Sequence, residues 1–370
     1  MKKTILFTIS ICILAASLMG CTSRQGSSQE SVSNVANTEI GADTDAETTS
    51  VSSTEMQSKE LYAMDTYMTV KAYGDNAADA LSESVEKIQK LDSLLSTGDE
   101  NSEIYALNNS GSAVLSDTAS YLYQRSMEIN AATEGAFNPF VYPLMEAWGF
   151  TTDDYKVLTQ SELDDLLPLT DVSKATFDAE TNEITFAEDG MAIDFGGIAK
   201  GYTSDQVSEI MRKNNVGGAI INLGGNVYAV GTKADGSLWK VGIQDPEDSS
   251  KCLGILSLTD KCVITSGGYE RYFTEDGKTY HHILDPATGM PADSGIISVS
   301  IISEDGTLAD GLSTSLFVMG LDKATTFWRE SGYEFDFVIM TDDKQLYISD
   351  GISDIFTSDT YKINVIKRNQ

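Results

Sequence analysis

Imidazole is the scarcest functional group in this chain. Its 370 residues contain two histidines, His281 and His282, adjacent in "TYHHILDPATGMP" (279–291). Histidine is the side chain whose ordinary pKa lies near neutrality, so imidazole proton chemistry at pH 7 has to come from this stretch. Cations are scarce too: 25 Lys and Arg against 56 Asp and Glu leave a net charge of −31. That argues against nucleic acid as a partner, because affinity for phosphate backbones needs clustered lysine and arginine. A phosphate-bearing small molecule could be held only by a local lysine or a bound metal ion. Cysteines number four. Cys252 and Cys262 lie in "CLGILSL" and "CVITSG", which read as neighbouring strands joined through Thr259-Asp260-Lys261. In that register the thiols do not face each other, so the pair is expected to be two small buried hydrophobes and not a disulfide.

The N-terminus sets the expected compartment. "MKKTILFTISICILAASLMGC" has a basic start and an apolar stretch too short to span a bilayer, which is the pattern of a secretory signal. Leu18-Met19-Gly20-Cys21 resembles a bacterial lipobox, so residues 1–20 are expected to be a lipoprotein signal and Cys21 the lipidated anchor on the extracytoplasmic face of the membrane. Residues 21–58 are rich in Ser, Thr, Glu, Asp, Asn and Gln and cannot bury enough apolar surface to fold, so they read as a tether. Residues 59–370 are then one large domain.

Within that domain "LYAMDTYMTVKAYG" is β-rich, 76–96 and 117–132 carry helical apolar spacing, and "ATFDAETNEITF" reads as a hairpin. After the helix "IAKGYTSDQVSEIMRK" come several strands, then the histidine motif, the strand "GIISVSII" and the helix "TLADGLSTSLFVMG". Strands and helices do not alternate regularly, so the expected class is α+β with mixed or antiparallel sheets and packed helices.

Three motifs could carry chemistry. "AIDFGGIAKG" (192–201) runs from a strand through glycines to a helix start bearing Lys200, a place where main-chain N–H groups and one cation could meet an anion; a purely structural turn fits equally well. In "ADGLSTSLFVMG" (309–320), Asp310 and Thr314 stand at i, i+4 on one helix face, a hard-oxygen pair suited to Mg²⁺, although Asp310 could instead cap its own helix. The adjacent histidines would point to opposite faces of a strand, so at most one can enter a given site.

In this order the motifs "MDTYMTV", "LLSTGDENSEIYALN", "TEGAFNPFVYPLMEAWGF", "IDFGGIAKGY", "NLGGN", "TSGGYERYF", "HHILDPATGMP" and "ADGLSTSLFVMG" resemble the ApbE family of FAD:protein FMN transferases, from about Leu61 to the C-terminus. The resemblance implies a single, T-fold-related α+β domain. It also implies an enzyme that moves FMN from FAD to a Thr or Ser hydroxyl of another protein and releases AMP. Met64, Ala136, Phe137, Asn138, Asp194, Lys200, Ile283 and Leu284 would contact FAD. The Gly197 carbonyl, Asp310 and Thr314 would hold Mg²⁺, or Mn²⁺ in its place, and His282 would be the catalytic base. Two positions depart from the family pattern: Gly98 stands where an aromatic is common, and Asn138 where Asp is common. Acceptors implied by the family are extracytoplasmic flavoproteins such as Rnf- or Nqr-type subunits. The residues alone leave open a Mg²⁺-dependent FAD pyrophosphatase, giving FMN and AMP, and a non-catalytic FAD-binding surface lipoprotein.

Overall fold

The structure, a computed structural model, describes residues 53–369. Cys21, the expected signal and most of the expected tether lie outside the described residues.

A nine-stranded sheet organises the protein, and its strands lie side by side in chain order. They are β1 (Gln57–Ala63), β2 (Thr66–Tyr73), β3 (Gly218–Leu223), β4 (Asn226–Gly231), β5 (Lys261–Gly267), β6 (Ile296–Ser303), β7 (Asp336–Thr341), β8 (Leu346–Ser349) and β9 (Ile363–Ile366). Every pairing is antiparallel except the last, β8 with β9. The α+β class with largely antiparallel pairing is the architecture found.

Side chains alternate strictly along the central strands, as a sheet buried on both faces requires. Cys262 and Ile264 of β5, Ile301 of β6 and Phe337 and Ile339 of β7 enter one core cluster. Val263, Ile302, Val338 and Met340 enter a second on the opposite face. The first face is covered by helices: α1 (Ala77–Leu95), α2 (Asp117–Ala132), α3 (Ala199–Lys213), α4 (Gly306–Met319) and α5 (Leu321–Glu330). Helix α1 buries Ala77, Ala80, Leu81, Ser84, Ile88, Leu91 and Leu95, the three-and-four spacing that makes one apolar stripe. A small three-stranded sheet of Trp239–Gln244, Cys252–Leu258 and Phe356–Thr357 covers the second face.

Three expectations need correction. The β-rich stretch is a hairpin starting at Gln57, inside the expected tether, and Met64 and Asp65 turn it with φ of 49° and 57°. Two positive φ values at a two-residue turn match the right-handed twist of the flanking strands. Cys252 and Cys262 are not on paired strands. Cys252 belongs to the small sheet and Cys262 to β5 of the large one, so Thr259 and Asp260 carry the chain from one sheet to the other. Neither cysteine forms a disulfide, and only Cys262 is buried.

Candidate active site

Helices α3 and α4 touch at their N-terminal turns because each has glycine at the crossing. A Cβ on Gly201 would lie 2.1 Å from the Gly306 carbonyl oxygen and 2.7 Å from Asp310 Cβ. At this separation Asp310 reaches the start of α3. Its Oδ2 accepts from the Gly201 N–H at 2.8 Å, and its Oδ1 from Asn226 Nδ2 at 3.1 Å. Asp310 therefore caps its neighbour. Its own helix is capped by Asp305, which accepts from the Leu308 N–H at 2.8 Å. In return Asp205 of α3 accepts from the Gly306 and Thr307 N–H groups at 2.7 and 2.8 Å. Desolvation still pushes the Asp205 carboxyl up to about 6.

Asp310 is 5% exposed, and a buried carboxylate is tolerated at a helix N-terminus, where free N–H groups and the helix dipole favour negative charge. Each of its oxygens keeps a lone pair for a further partner. One turn on, Thr314 Oγ1 lies 3.3 Å from Ser266 Oγ of β5, itself 2.7 Å from Ser313 Oγ. The first helical bond of α3 runs from the Tyr202 N–H to the Ile198 carbonyl at 3.1 Å, so the Gly197 carbonyl stands outside the helix ladder. One carboxylate, hydroxyls and a main-chain carbonyl form a hard-oxygen set that fits Mg²⁺, an ion that takes its remaining ligands from water or phosphate. Among the described residues, no group of three or more His, Cys, Asp or Glu is placed to hold a metal unaided. Such an ion would depend on substrate oxygens.

Around this corner several charged groups come together. The Asp194 N–H donates to the Pro139 carbonyl at 2.9 Å, and its Oδ1 accepts from the Gly196 N–H at 2.9 Å. Desolvation raises the Asp194 carboxyl, against the Gly196 bond and the pull of Lys200 and Arg271, and Asp65 pushes it further up. Glu270 is open to solvent but walled in by protein on its other sides. Desolvation pushes it up to about 7, opposed by Lys200 and Arg271 and assisted by Asp310. Lys200 and Arg271 therefore act on the same small volume. The sequence motifs single out Lys200 alone; Arg271, Glu270, Asp65, Asn226 and Ser266 are brought in by the fold.

The histidines differ as their adjacency requires. His281 ends the strand Lys278–His281; its Nε2 lies 3.1 Å from the Ala292 carbonyl, and its Nδ1 is buried without a partner. Its ring meets Phe317 edge-on, with centroids 5.4 Å apart. This imidazole is part of the packing. His282 Nδ1 lies 3.2 Å from the Arg271 carbonyl, and its main-chain N–H donates to that same carbonyl at 3.0 Å. A carbonyl can only accept, so Nδ1 carries the proton and Nε2 presents its lone pair. Desolvation and then Arg271 hold the imidazole down to about 3, so it is neutral at pH 7.

The remaining expected contacts are placed as follows. Met64 sits in the β1–β2 turn with its N–H on Asp92 Oδ1 at 2.8 Å and its sulfur 3.7 Å from Thr203 Oγ1 of α3. Ala136 and Phe137 follow α2, and the Phe137 ring lies 3.0 Å from where a Gly197 Cβ would be. Asn138 accepts from the Phe140 N–H at 2.8 Å and donates through Nδ2 to the Thr170 carbonyl at 2.9 Å. This second bond explains the departure from Asp, which could not donate it. Ile283 and Leu284 are 4% and 5% exposed, packed into the first core cluster and into a third around Trp148 and Phe150. Side-chain packing of these two on a nucleotide is therefore not open in this structure. Gly98 has open space around it, with nothing within 4 Å of where a Cβ would stand.

The ApbE family model matches residues 64–338. The chain belongs to this family. It is 34% identical over 292 residues to a FAD:protein FMN transferase of Treponema pallidum, covering 74% of this chain and 80% of that protein. It is 31% identical over 284 residues to a FAD:protein FMN transferase of Klebsiella pneumoniae, covering 76% and 87%. The ApbE protein of Thermotoga maritima superposes with a TM-score of 0.75 at 31% identity, over 80% of this chain and 98% of that one. The flavin transferase ApbE of Vibrio cholerae does so with 0.72 at 25% identity, over 81% and 99%.

Proposed function

We propose that this protein is a transferase that moves FMN from FAD to a threonine or serine hydroxyl of an acceptor protein and releases AMP. The observation that carries the chemistry is the contact of His282 Nδ1 with the Arg271 carbonyl at 3.2 Å, which leaves Nε2 as the ring atom with a lone pair to accept a proton. The acceptor oxygen attacks the FMN-side phosphorus, and the bond from that phosphorus to the bridging oxygen of AMP breaks. The hydroxyl proton passes to His282 Nε2, and FMN remains as a phosphoester. General-base help of this kind is worth ~10²–10⁴-fold. Lys200 and Arg271 offset negative charge on the diphosphate in an otherwise anionic protein. A divalent ion held by Asp310, Thr314 and the Gly197 carbonyl would neutralise charge on the diphosphate oxygens.

The proposal extends to place and partner. The lipobox-like "LMGC" supports lipidation at Cys21 and an extracytoplasmic, membrane-anchored protein, and family membership supports Rnf- or Nqr-type subunits as acceptors. The test is incubation with FAD, MgCl₂ and such a subunit in flavin-free form, reading AMP and acceptor mass. The expected result is one FMN per acceptor with AMP released. AMP with unmodified acceptor would replace transfer by hydrolysis, and neither product would leave a binding protein.

A further inference from the structure

The β1–β2 hairpin enters the active site by its turn and leaves the rest of itself uncovered. Met64 and Asp65 face the start of α3 and Asp194, while Tyr62 and Tyr67, the paired residues just outside that turn, are 71% and 39% exposed. With Met56, which immediately precedes β1, they make up three of the eight exposed large hydrophobic residues among those described. Their face of the sheet is the one the small three-stranded sheet covers elsewhere, yet no residue of β1 or β2 enters that second core cluster. The Tyr67 hydroxyl donates to Glu60, which steadies one of the two rings.

Strand β1 is also an edge. Ala63 and Thr66 close a two-residue turn and so exchange both main-chain bonds; alternation then leaves the N–H and C=O groups of Ser58, Glu60 and Tyr62 pointing away from β2. The opposite edge, β9, is eight strands away, on the order of 40 Å at the usual strand spacing. Within the nine-stranded sheet, the free edge beside the site is thus β1.

We propose that this hairpin docks the acceptor protein: an extended acceptor segment pairs with β1, packs on Tyr62 and Tyr67, and carries its hydroxyl past Met64-Asp65 to the site. This rests on the transferase reading, which requires a protein to reach the flavin phosphate. Continuity with the site singles out the occupant, and main-chain pairing plus exposed tyrosines is how an edge binds an extended segment tightly.

Two substitutions separate docking from chemistry. Tyr62→Ser removes aromatic surface; Ser58→Pro removes one outward N–H and no bond to β2. With a flavin-free Rnf-type subunit as acceptor, each should raise the acceptor KM tenfold or more and leave the FAD KM and kcat within twofold. An unchanged acceptor KM overturns the proposal. Hydrogen exchange on the wild-type protein gives a readout independent of turnover and of variant folding. The amides of Ser58, Glu60 and Tyr62 should slow when the subunit is added, and unchanged exchange there also overturns it. If the acceptor stays unlabelled while these amides are protected, docking stands and the transfer reading is what has failed.

Discussion

The Gly201 N–H and the Asp310 carboxylate, 109 residues apart in sequence, meet at 2.8 Å, so the side chain proposed to hold a divalent ion also caps a helix. Asp310→Ala should therefore do two things at once. Loss of the cap costs ~0.5–2 kcal/mol, read as a lower melting temperature. Loss of the carboxylate should shift the MgCl₂ dependence of turnover to higher concentration and lower its plateau. A variant with a lower melting temperature but unchanged metal dependence would restrict Asp310 to capping.

Gly201→Ala tests the helix contact itself. The new methyl group would have to displace the Gly306 carbonyl, and overpacking of this kind costs ~1–3 kcal/mol. Because α4 must move to make room, turnover should fall more than stability does. Kinetics and thermal unfolding of the same preparation decide it.

His282→Ala should lower transfer by ~10²–10⁴-fold while FAD binding, followed by flavin fluorescence, persists. His281→Ala should spare the chemistry and show its effect in stability, because that ring packs on Phe317. With the His282 imidazole held down to about 3, no histidine limb should appear in the rate profile between pH 5 and 8. A limb near pH 6.5 that vanishes in His282→Ala would contradict this.

Asn138→Asp tests why this chain departs from its family pattern. The substitution removes the donor to the Thr170 carbonyl and sets two acceptors together, at a cost of ~1–3 kcal/mol. Denaturant unfolding should show the loss. Equal or greater stability would mean the neighbouring loop re-forms around the carboxylate.

Glu270 gives a pH signature of opposite sign to that of an ordinary carboxylate. Its folded pKa is raised to about 7 from 4.5, so the folded form holds the proton more tightly than the unfolded chain. Its contribution to stability is fully present below pH 4.5 and is lost as pH rises through about 7. Glu270→Gln should remove that decline, which unfolding measured from pH 4 to 8 against the wild type would reveal.

Local pattern carried much of the fold. Helix α4 with Asp310 and Thr314 one turn apart, the Lys200 turn and the opposite facing of the two histidines were legible, because each depends on spacing within a few residues; His282 itself was singled out only by the family resemblance. What escaped depends on packing between distant segments. Arg271 matters through its carbonyl on His282 and through a charge shared with Lys200, and no spacing within "TSGGYERYF" signals either. The Met64-Asp65 turn lacks the Gly or Asn that usually announces two positive φ values. The Thr259-Asp260 link looks like a hairpin turn, and only the stacking of two sheets makes it a crossing.

The ordered meander of β1 to β9 has a last consequence. The groups proposed to act in turnover are contributed between Met64 and Thr314, and the long excursions of the chain between neighbouring strands hold most of them. Any translation product that stops before α4 lacks the Asp310 carboxylate, and the Gly201 amide it should cap is left bare. The proposed site thus cannot assemble on a nascent chain until α4 has been made, however early the glycine turn before α3 is in place.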